Sequence, residues 1–480
     1  MKKLWMVLLV SCVSSSLAFA QGPDLLKRDA LQEAEALEST IDRIATELWE
    51  YAETALRENR SAALLVDTLE AAGFTVERGV AGMPTAFVAT YGEGSPVIGI
   101  LAEYDALPGV GNAAVPERQR RPDGVTSGHG CGHNLFGAGS VGGALALKRL
   151  LEKHGLRGTL KLFGTPAEET VVGKVYMARA GLFAGLDAVL EWHPGTENEV
   201  RNQPGRAMNN FTVEFFGQAA HAAADPWNGR SALDAVEQMN FAVNLMREHV
   251  KPTTRLHYVI LSGGEAPNVV PEYAKVWYYV RDINRKEVKK HYDRLQKIAE
   301  AAALATGTTY KLHLITGVHE YLLNRPLQEA VQANLERVGA PRFTEPEQAF
   351  GRRLQQFLQI EEKGFSTTVK PLADEPQPVS GGSTDVAEVS WITPTVGFRI
   401  ATAAEDVPWH SWATTACHGT TAARKAAVLA AKVIAATGVD LLTQPELVSA
   451  AKAFLQKATG GKPYESPLPP DQPPPLPARD

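Results

Sequence analysis

Two imidazoles and one thiol fall within five residues in the stretch Gly128-His129-Gly130-Cys131-Gly132-His133-Asn134, separated only by glycines. Glycine lets a backbone turn tightly enough to aim neighbouring side chains at one point. Thiolate, imidazole and carboxylate are the groups that hold transition metals. Alone, the stretch also reads as a Gly-rich turn with a buried cysteine. Carboxylates and a further imidazole recur elsewhere, each at the end of an apolar run. Residues 97–101 lead into Glu103-Tyr104-Asp105, residues 159–163 into Glu168-Glu169, and residues 188–190 into Glu191-Trp192-His193. Such runs suit buried strands of an α/β sheet, whose active sites lie at the carboxyl ends of the strands. Of two adjacent carboxylates, one can hold a metal while the other moves protons. Singly, Asp105 reads equally as a turn former before Pro108-Gly109, and the glutamates as a solvated helix start. Three successive strands that deliver all of them to one edge favour a shared site.

The elements that must position these residues follow from periodicity. Residues 24–72 carry apolar side chains at helical spacing, from Leu37 and Ile41 through Leu69. Strands are expected at 74–76, 86–91, 97–101, 159–163, 188–190 and 395–400, with a small-residue helix at 137–151. This is an α/β pattern, a mixed sheet flanked by helices. Residues 207–316 change to strand–helix–strand–strand–helix–strand, the βαββαβ order of a ferredoxin-like domain. They read as an inserted domain that carries His221, Asn268 and Arg281. A lone loop histidine such as His221 is also ordinary as a structural residue. The α/β pattern resumes over 317–460, so 21–206 and 317–460 are two parts of one body. The turn Gly381-Gly382-Ser383-Thr384-Asp385 can present backbone N–H groups to an anion. Trp409-His410-Ser411 follows the last strand in a loop. Residues 414–437 read as one packed, Ala-rich helix with Cys417 and His418 as structural residues at its start. Residues 461–480 read as a Pro-rich tail, disordered or extended.

A chain of 480 residues exceeds one core, so two domains are expected. Its net charge of −6 gives no electrostatic reason to expect nucleic acid or an anionic membrane as partner. Lys2 and Lys3, an apolar run and Ala18-Phe19-Ala20 make residues 1–20 a signal peptide, predicting an exported, periplasmic or secreted protein that begins near Gln21. A rival lipobox, Leu9-Val10-Ser11-Cys12, would leave a very short apolar core. After cleavage only Cys131 and Cys417 remain, too few for a disulfide scaffold. A lone thiol in an oxidising compartment is safer as a metal ligand or deeply buried. No later stretch reads as a membrane span.

Together these motifs resemble the M20 metallopeptidase/amidohydrolase family over about residues 41–442. The carriers are Glu-Tyr-Asp-Ala-Leu-Pro (103–108), His-Gly-Cys-Gly-His-Asn (129–134), Thr-Pro-Ala-Glu-Glu (165–169), Trp-His-Pro (192–194), His-Ala-Ala (221–223), Ala-Pro-Asn-Val-Val-Pro-Glu (266–272), Gly-Ser-Thr-Asp-Val (382–386) and Pro-Trp-His-Ser-Trp (408–412). Within the family the similarity is to the carboxypeptidase-like branch that holds aminobenzoyl-glutamate and auxin-conjugate hydrolases. The resemblance implies two divalent ions, manganese or zinc, on Cys131, His133, Glu169, His193 and His410. It implies Glu168 as general base and Asp105 as an orienting residue. His221 would polarise the scissile carbonyl in the partner subunit's site, with Asn268 nearby. Arg281, Gly382 and Ser383 are candidate partners of the substrate. The implied activity is hydrolysis of the amide bond of N-acyl or N-aroyl amino acids, or of short peptides, by a homodimer joined through the inserted lid domain. A dipeptidase or aminopeptidase of the same fold is the nearest alternative. A non-catalytic periplasmic binding protein is the other, and retention of Glu168 with all five ligand types speaks against it.

Overall fold

A computed structural model describes residues 22–379 and 381–477, so the signal-peptide and lipobox readings lie outside the described residues. The chain opens with α1 (Pro23–Glu35), α2 (Glu38–Tyr51) and α3 (Asn59–Ala71). Then come β1 (Thr75–Arg78), β2 (Phe87–Glu93), β3 (Val97–Ala102), α4 (His133–His154), β4 (Gly158–Gly164), α5 (Gly173–Arg179), β5 (Ala188–Gly195) and β6 (Glu199–Val200). A second unit follows: β7 (Ala207–Phe216), α6 (Ala232–Met246), β8 (Arg255–Ser262), β9 (Tyr273–Asp282), α7 (Arg285–Thr306) and β10 (Thr309–Val318). The chain then returns through α8 (Arg325–Val338), α9 (Glu345–Leu358), α10 (Val386–Ser390), β11 (Thr395–Ala401), α11 (Trp412–His418), α12 (Thr421–Thr443) and α13 (Pro445–Thr459).

The body is a seven-stranded mixed sheet in the order β1-β2-β4-β3-β5-β11-β6. Its four central strands, β4, β3, β5 and β11, run parallel, while β1, β2 and β6 pair antiparallel at the flanks. Parallel strands are covered on both faces, which is why β3 is buried from Ile98 to Ala102. Helices α4 and α12 pack together in the same core, which also takes in Trp192. Trp192 is fully buried and its indole N–H donates to the Phe136 carbonyl at 3.1 Å. Among the described residues α12 alone is long and apolar enough to cross a membrane, and 83% of its most apolar window is buried in the protein. It is a core helix of the body.

The second unit is a four-stranded antiparallel sheet in the order β10-β7-β9-β8, with α6 and α7 sharing a core of its own. Burial alternates along β9, as expected for a sheet covered on one face. The unit meets the body where Thr316 Oγ1 donates to the Val171 carbonyl at 2.6 Å and Tyr176 donates to the Ile315 carbonyl at 3.1 Å.

Three local expectations are corrected. Residues 414–437 are not one helix: the chain breaks at Gly419-Thr420, Ser411 caps α11, and the Thr420 side chain accepts from the Ala423 N–H to start α12. The helix expected from residue 137 begins four residues earlier, at His133. Residues 461–477 are extended but not disordered. Leu468 is buried, Arg179 donates to the Pro469 carbonyl at 2.7 Å, and Gln472 donates to the Leu314 carbonyl at 2.6 Å. Proline removes backbone donors, so this segment is held by its side chains and carbonyls.

Candidate metal centre

Parallel strands β4, β3 and β5 end side by side, and the segments after β3 and β4 meet residues near the end of β5 and the start of α4 at one edge. Gly132 caps α4 with φ of 85°, a left-handed conformation that glycine adopts without strain. This turn sends Cys131 and His133 into the same space. His129 is turned away: its Nε2 lies 2.9 Å from the Leu48 carbonyl, and its Nδ1 accepts from the Asn134 N–H at 3.2 Å. Burial holds this imidazole down at about 3, so it is a neutral structural residue. Cys417 and His418 are buried as well, and the His418 imidazole is bonded to the His129 carbonyl at 2.7 Å.

His133 sits at the centre. Its Nδ1 is 2.9 Å from Asp105 Oδ1, which fixes the ring and turns Nε2 toward Glu103 at 3.0 Å and Glu168 at 3.9 Å. A carboxylate behind a histidine is the arrangement that orients metal-ligating imidazoles. Asp105 also accepts from the Glu169 N–H at 3.0 Å through Oδ2, so one carboxylate positions both His133 and the Glu168-Glu169 turn. Glu58, fully buried, accepts from the Ala167 N–H at 2.9 Å and anchors that turn from the other side. Ala167 and Val171 flank it with φ of 58° each, a left-handed backbone that non-glycine residues hold only where their surroundings impose it.

The ligand atoms of Cys131, His133 and His193 lie within 4.8 Å of one another, and so do those of Cys131, Glu169 and His410. Two three-donor groups thus share one sulfur. The Cys131 sulfur is 3.4 Å from His193 Nε2 and accepts from the Trp409 indole N–H at 3.4 Å. His193 Nδ1 donates to the Pro194 carbonyl at 2.7 Å, which leaves Nε2 free toward the cluster. His410 Nε2 lies 3.5 Å from Glu169 Oε2, and His410 itself has φ of 56°.

The electrostatics of this pocket call for positive charge. Burial, then Glu103 and Asp385, push Glu168 well above the usual carboxylate range. Burial, then Asp105 and Glu103 against the opposing pull of His133, puts Glu169 at about 8. Burial and Glu169 push the Cys131 thiol to about 12. Burial disfavours the His133 cation, but Cys131, Glu103 and Asp105 outweigh it and raise the imidazole well above its ordinary value. Each of these groups tends to take up a proton where a divalent cation would balance the same charge. His133 Nε2 and Glu169 Oε1 are buried without a hydrogen bond. Borderline-soft S, N and O donors around such atoms fit zinc or a similar divalent ion.

Cys131, Glu168, His193 and His410 line one cleft of about 270 Å³, with Gly382 and Ser383 on its rim. Ser383 Oγ is buried without a partner. Of the residues singled out from sequence, Asp105, Cys131, His133, Glu168, Glu169, His193 and His410 meet here. Arg281 does not line the cleft, although its Nη1 comes within 3.9 Å of a Cβ placed on Gly382. His221 and Asn268 also stand outside it; His221 is exposed on the lid, and its Nδ1 accepts from the Ala223 and Ala224 amides. Glu103, Lys174 and Asp385 were missed as a set. Lys174 is fully buried, with its Nζ 2.7 Å from both Glu103 and Asp385, and joins the strand end to the Gly382 turn. Only the fold brings these three together, and a lone lysine in an α5 otherwise built for packing carries no sequence signal.

A mixed α/β body with a Cys/His/Glu cluster at its strand ends, and an inserted ferredoxin-like unit, defines a metallohydrolase. The family model for peptidase family M20/M25/M40 matches residues 99–470, and the chain belongs to that family. It is a hydrolase of amide or peptide bonds that binds divalent metal. The chain is 38% identical to one of the two kinds of subunit of p-aminobenzoyl-glutamate hydrolase from Escherichia coli K12, over 89% of this chain and 94% of that one. It is 30% identical to the Xaa-Arg dipeptidase of Mus musculus, over 89% and 92%. A solved dinuclear metal-binding peptidase of family M20 from Bacillus subtilis shares the fold at a TM-score of 0.56 and 19% identity, covering 85% of this chain and 99% of that one.

Proposed function

We propose that this protein hydrolyses the amide bond of N-acyl or N-aroyl amino acids, with Glu168 as general base. The observation that carries the reading is the pair of donor groups sharing Cys131 in the cleft that Glu168 also lines. Cys131, His133, Glu169, His193 and His410 would hold two divalent ions, manganese or zinc, and the thiolate favours zinc. Bound there, the ions would lower the pKa of a water towards neutrality and polarise the scissile carbonyl. Glu168 accepts the proton of the attacking water and delivers it to the leaving amine. Asp105 keeps His133 and the glutamate turn in register through its two oxygens. Lys174 balances Glu103 and Asp385 behind them. The donors at the cleft rim, Ser383 Oγ and the Gly382 turn, are candidates for the substrate's carboxylate, with Arg281 behind the turn.

Two similar relatives are named for an aroyl amino acid and for a dipeptide, and both fit this chemistry. The reading includes export by the 1–20 leader and a homodimer joined through the lid. β8 supports the dimer: it is the edge strand of its sheet, and Val259, Ile260 and Leu261 on it are 51%, 42% and 52% exposed. An apolar edge strand with unpaired backbone groups is a template for pairing with another chain. The test is a screen of N-acyl amino acids and free dipeptides, with the protein stripped by chelator and reloaded with zinc or manganese. Turnover of benzoyl-amino acids that chelator abolishes and metal restores is expected. Turnover of free dipeptides alone would select the dipeptidase reading, and no turnover of metal-loaded protein would select the binding-protein reading.

A separate check addresses the sulfur. With metal bound, Cys131 should resist iodoacetamide, and chelation should expose it. Cys417, buried in the core beneath α9, should stay unlabelled in both states. Labelling of Cys131 at the same rate with and without metal would remove it from the ligand set.

A further inference from the structure

The cleft contains two arginines that the reaction scheme does not use. Arg399 on β11 is in parallel register with His193 on β5, which places the two side chains next to each other on one face. Arg201 follows β6, and its backbone N–H donates to the Gly397 carbonyl at 2.8 Å. Both arginines line the same cleft as Cys131, Glu168 and His193.

Their surroundings are built for them. Arg201 Nε donates to Glu191 Oε1 at 3.1 Å, and its guanidinium lies 4.9 Å from the Tyr321 ring centre. Glu191 is 1% exposed and reaches this position only because residue 397 is glycine: a Cβ there would stand 2.0 Å from the carboxylate. So Arg201 is braced from beneath, and its Nη groups make no hydrogen bond among the described residues. Arg399 has one polar contact, to Glu199 Oε1 at 3.4 Å, longer than the about 2.7–2.9 Å of a good charge-assisted bond. Burial, and then the Arg201 cation, draw Arg399 below the usual guanidinium range, so the two cations crowd each other. A second anion in the cleft relieves that crowding.

Resting on the acyl-amino-acid reading above, we propose that Arg201 and Arg399 form a specificity subsite for a carboxylate on the amino-acid side chain, selecting N-acyl glutamate or aspartate over neutral and basic analogues. Two similar relatives are named for amino-acid parts of opposite charge, glutamate and arginine. A guanidinium pair beside the ligand histidine repels the basic side chain and accepts the acidic one bidentately. Glu199 is the loosely held counter-ion that the substrate carboxylate displaces from Arg399.

The experiment compares N-benzoyl-L-glutamate with its neutral isostere N-benzoyl-L-glutamine on zinc-loaded enzyme. The glutamate substrate is expected to lead in kcat/KM by about thirtyfold or more, the scale of one or two hydrogen bonds to a charged group. Arg399→Gln should bring the two substrates within about threefold, through the KM of the glutamate substrate, with glutamine turnover unchanged. Arg201→Gln made together with Glu191→Gln, so that no buried carboxylate is left alone, should act in the same direction. Equal turnover of the two substrates by wild type would overturn the proposal. So would an Arg399 variant that loses both substrates in proportion, because the pair would then hold the α-carboxylate common to them. If wild type cleaves neither while other amides or peptides turn over, the acyl-amino-acid reading falls along with it. Equal cleavage, by contrast, sinks the subsite alone.

Discussion

Glu168→Gln is expected to cut kcat by about 10²–10⁴-fold, the usual contribution of a positioned general base, while metal content stays at the wild-type level. The amide is isosteric, so the turn does not have to move. That turn is fixed by the Glu58 and Asp105 contacts to the Ala167 and Glu169 amides, neither of which uses the Glu168 side chain. What is lost is the oxygen that takes the proton. Glu169→Gln should behave in the opposite way. Glu169 faces His410 at 3.5 Å and shares a donor group with Cys131, so its loss should lower metal occupancy first and activity as a consequence. Metal analysis beside kinetics at saturating metal separates the two. Metal lost from the Glu168 variant, with full metal in the Glu169 variant, would exchange their roles.

The sequence carried the site's first layer because that layer is local. Cys131 and His133 are two residues apart in a Gly-rich turn, Glu168 and Glu169 are adjacent, and His193 lies at the end of a continuous apolar run. Strand periodicity was then enough to bring the runs to one edge, since parallel strands with helices between them place their carboxyl ends together. The ferredoxin-like unit was legible for a similar reason: β8 and α7 begin and end where the apolar alternation and the helical period change. What sequence did not carry was long-range pairing. Glu58 anchors a turn 109 residues away, and Lys174 joins Asp385 211 residues away. A buried lysine between two carboxylates looks like an ordinary charged helix residue until the fold removes the water around it. The break at Gly419-Thr420 was hidden by the alanine-rich composition on either side, which satisfies the helical period across both helices. The tail was misread because proline content reports the missing backbone donors and says nothing of the carbonyls that Arg179 and other side chains bind.

The largest rearrangement of the site by one residue is expected at His221, since it tests where the site ends. It is exposed on the lid, outside its own chain's cleft, and its Nδ1 is occupied by two backbone amides while Nε2 has no partner among the described residues. If His221 stabilises the carbonyl oxygen in the partner subunit's site, each site needs the body of one chain and the lid of the other. Removing such an oxyanion donor costs about 10²–10³-fold. His221→Ala and Glu168→Gln homodimers should therefore both be nearly inactive, with metal bound in each. When the two are mixed and their subunits exchange, about half of the dimers are mixed under random pairing, by two-fold symmetry. Each mixed dimer has one site that combines an intact Glu168 with an intact His221 and one that lacks both. Activity should recover to about one quarter of wild type, a consequence of the same symmetry. The β8 edge supplies the surface through which exchange would occur, so a charged substitution there, such as Ile260→Lys, should block both dimer formation and recovery. Exchange confirmed by differently tagged chains, with no return of activity, would place His221 in its own chain's chemistry or outside the reaction.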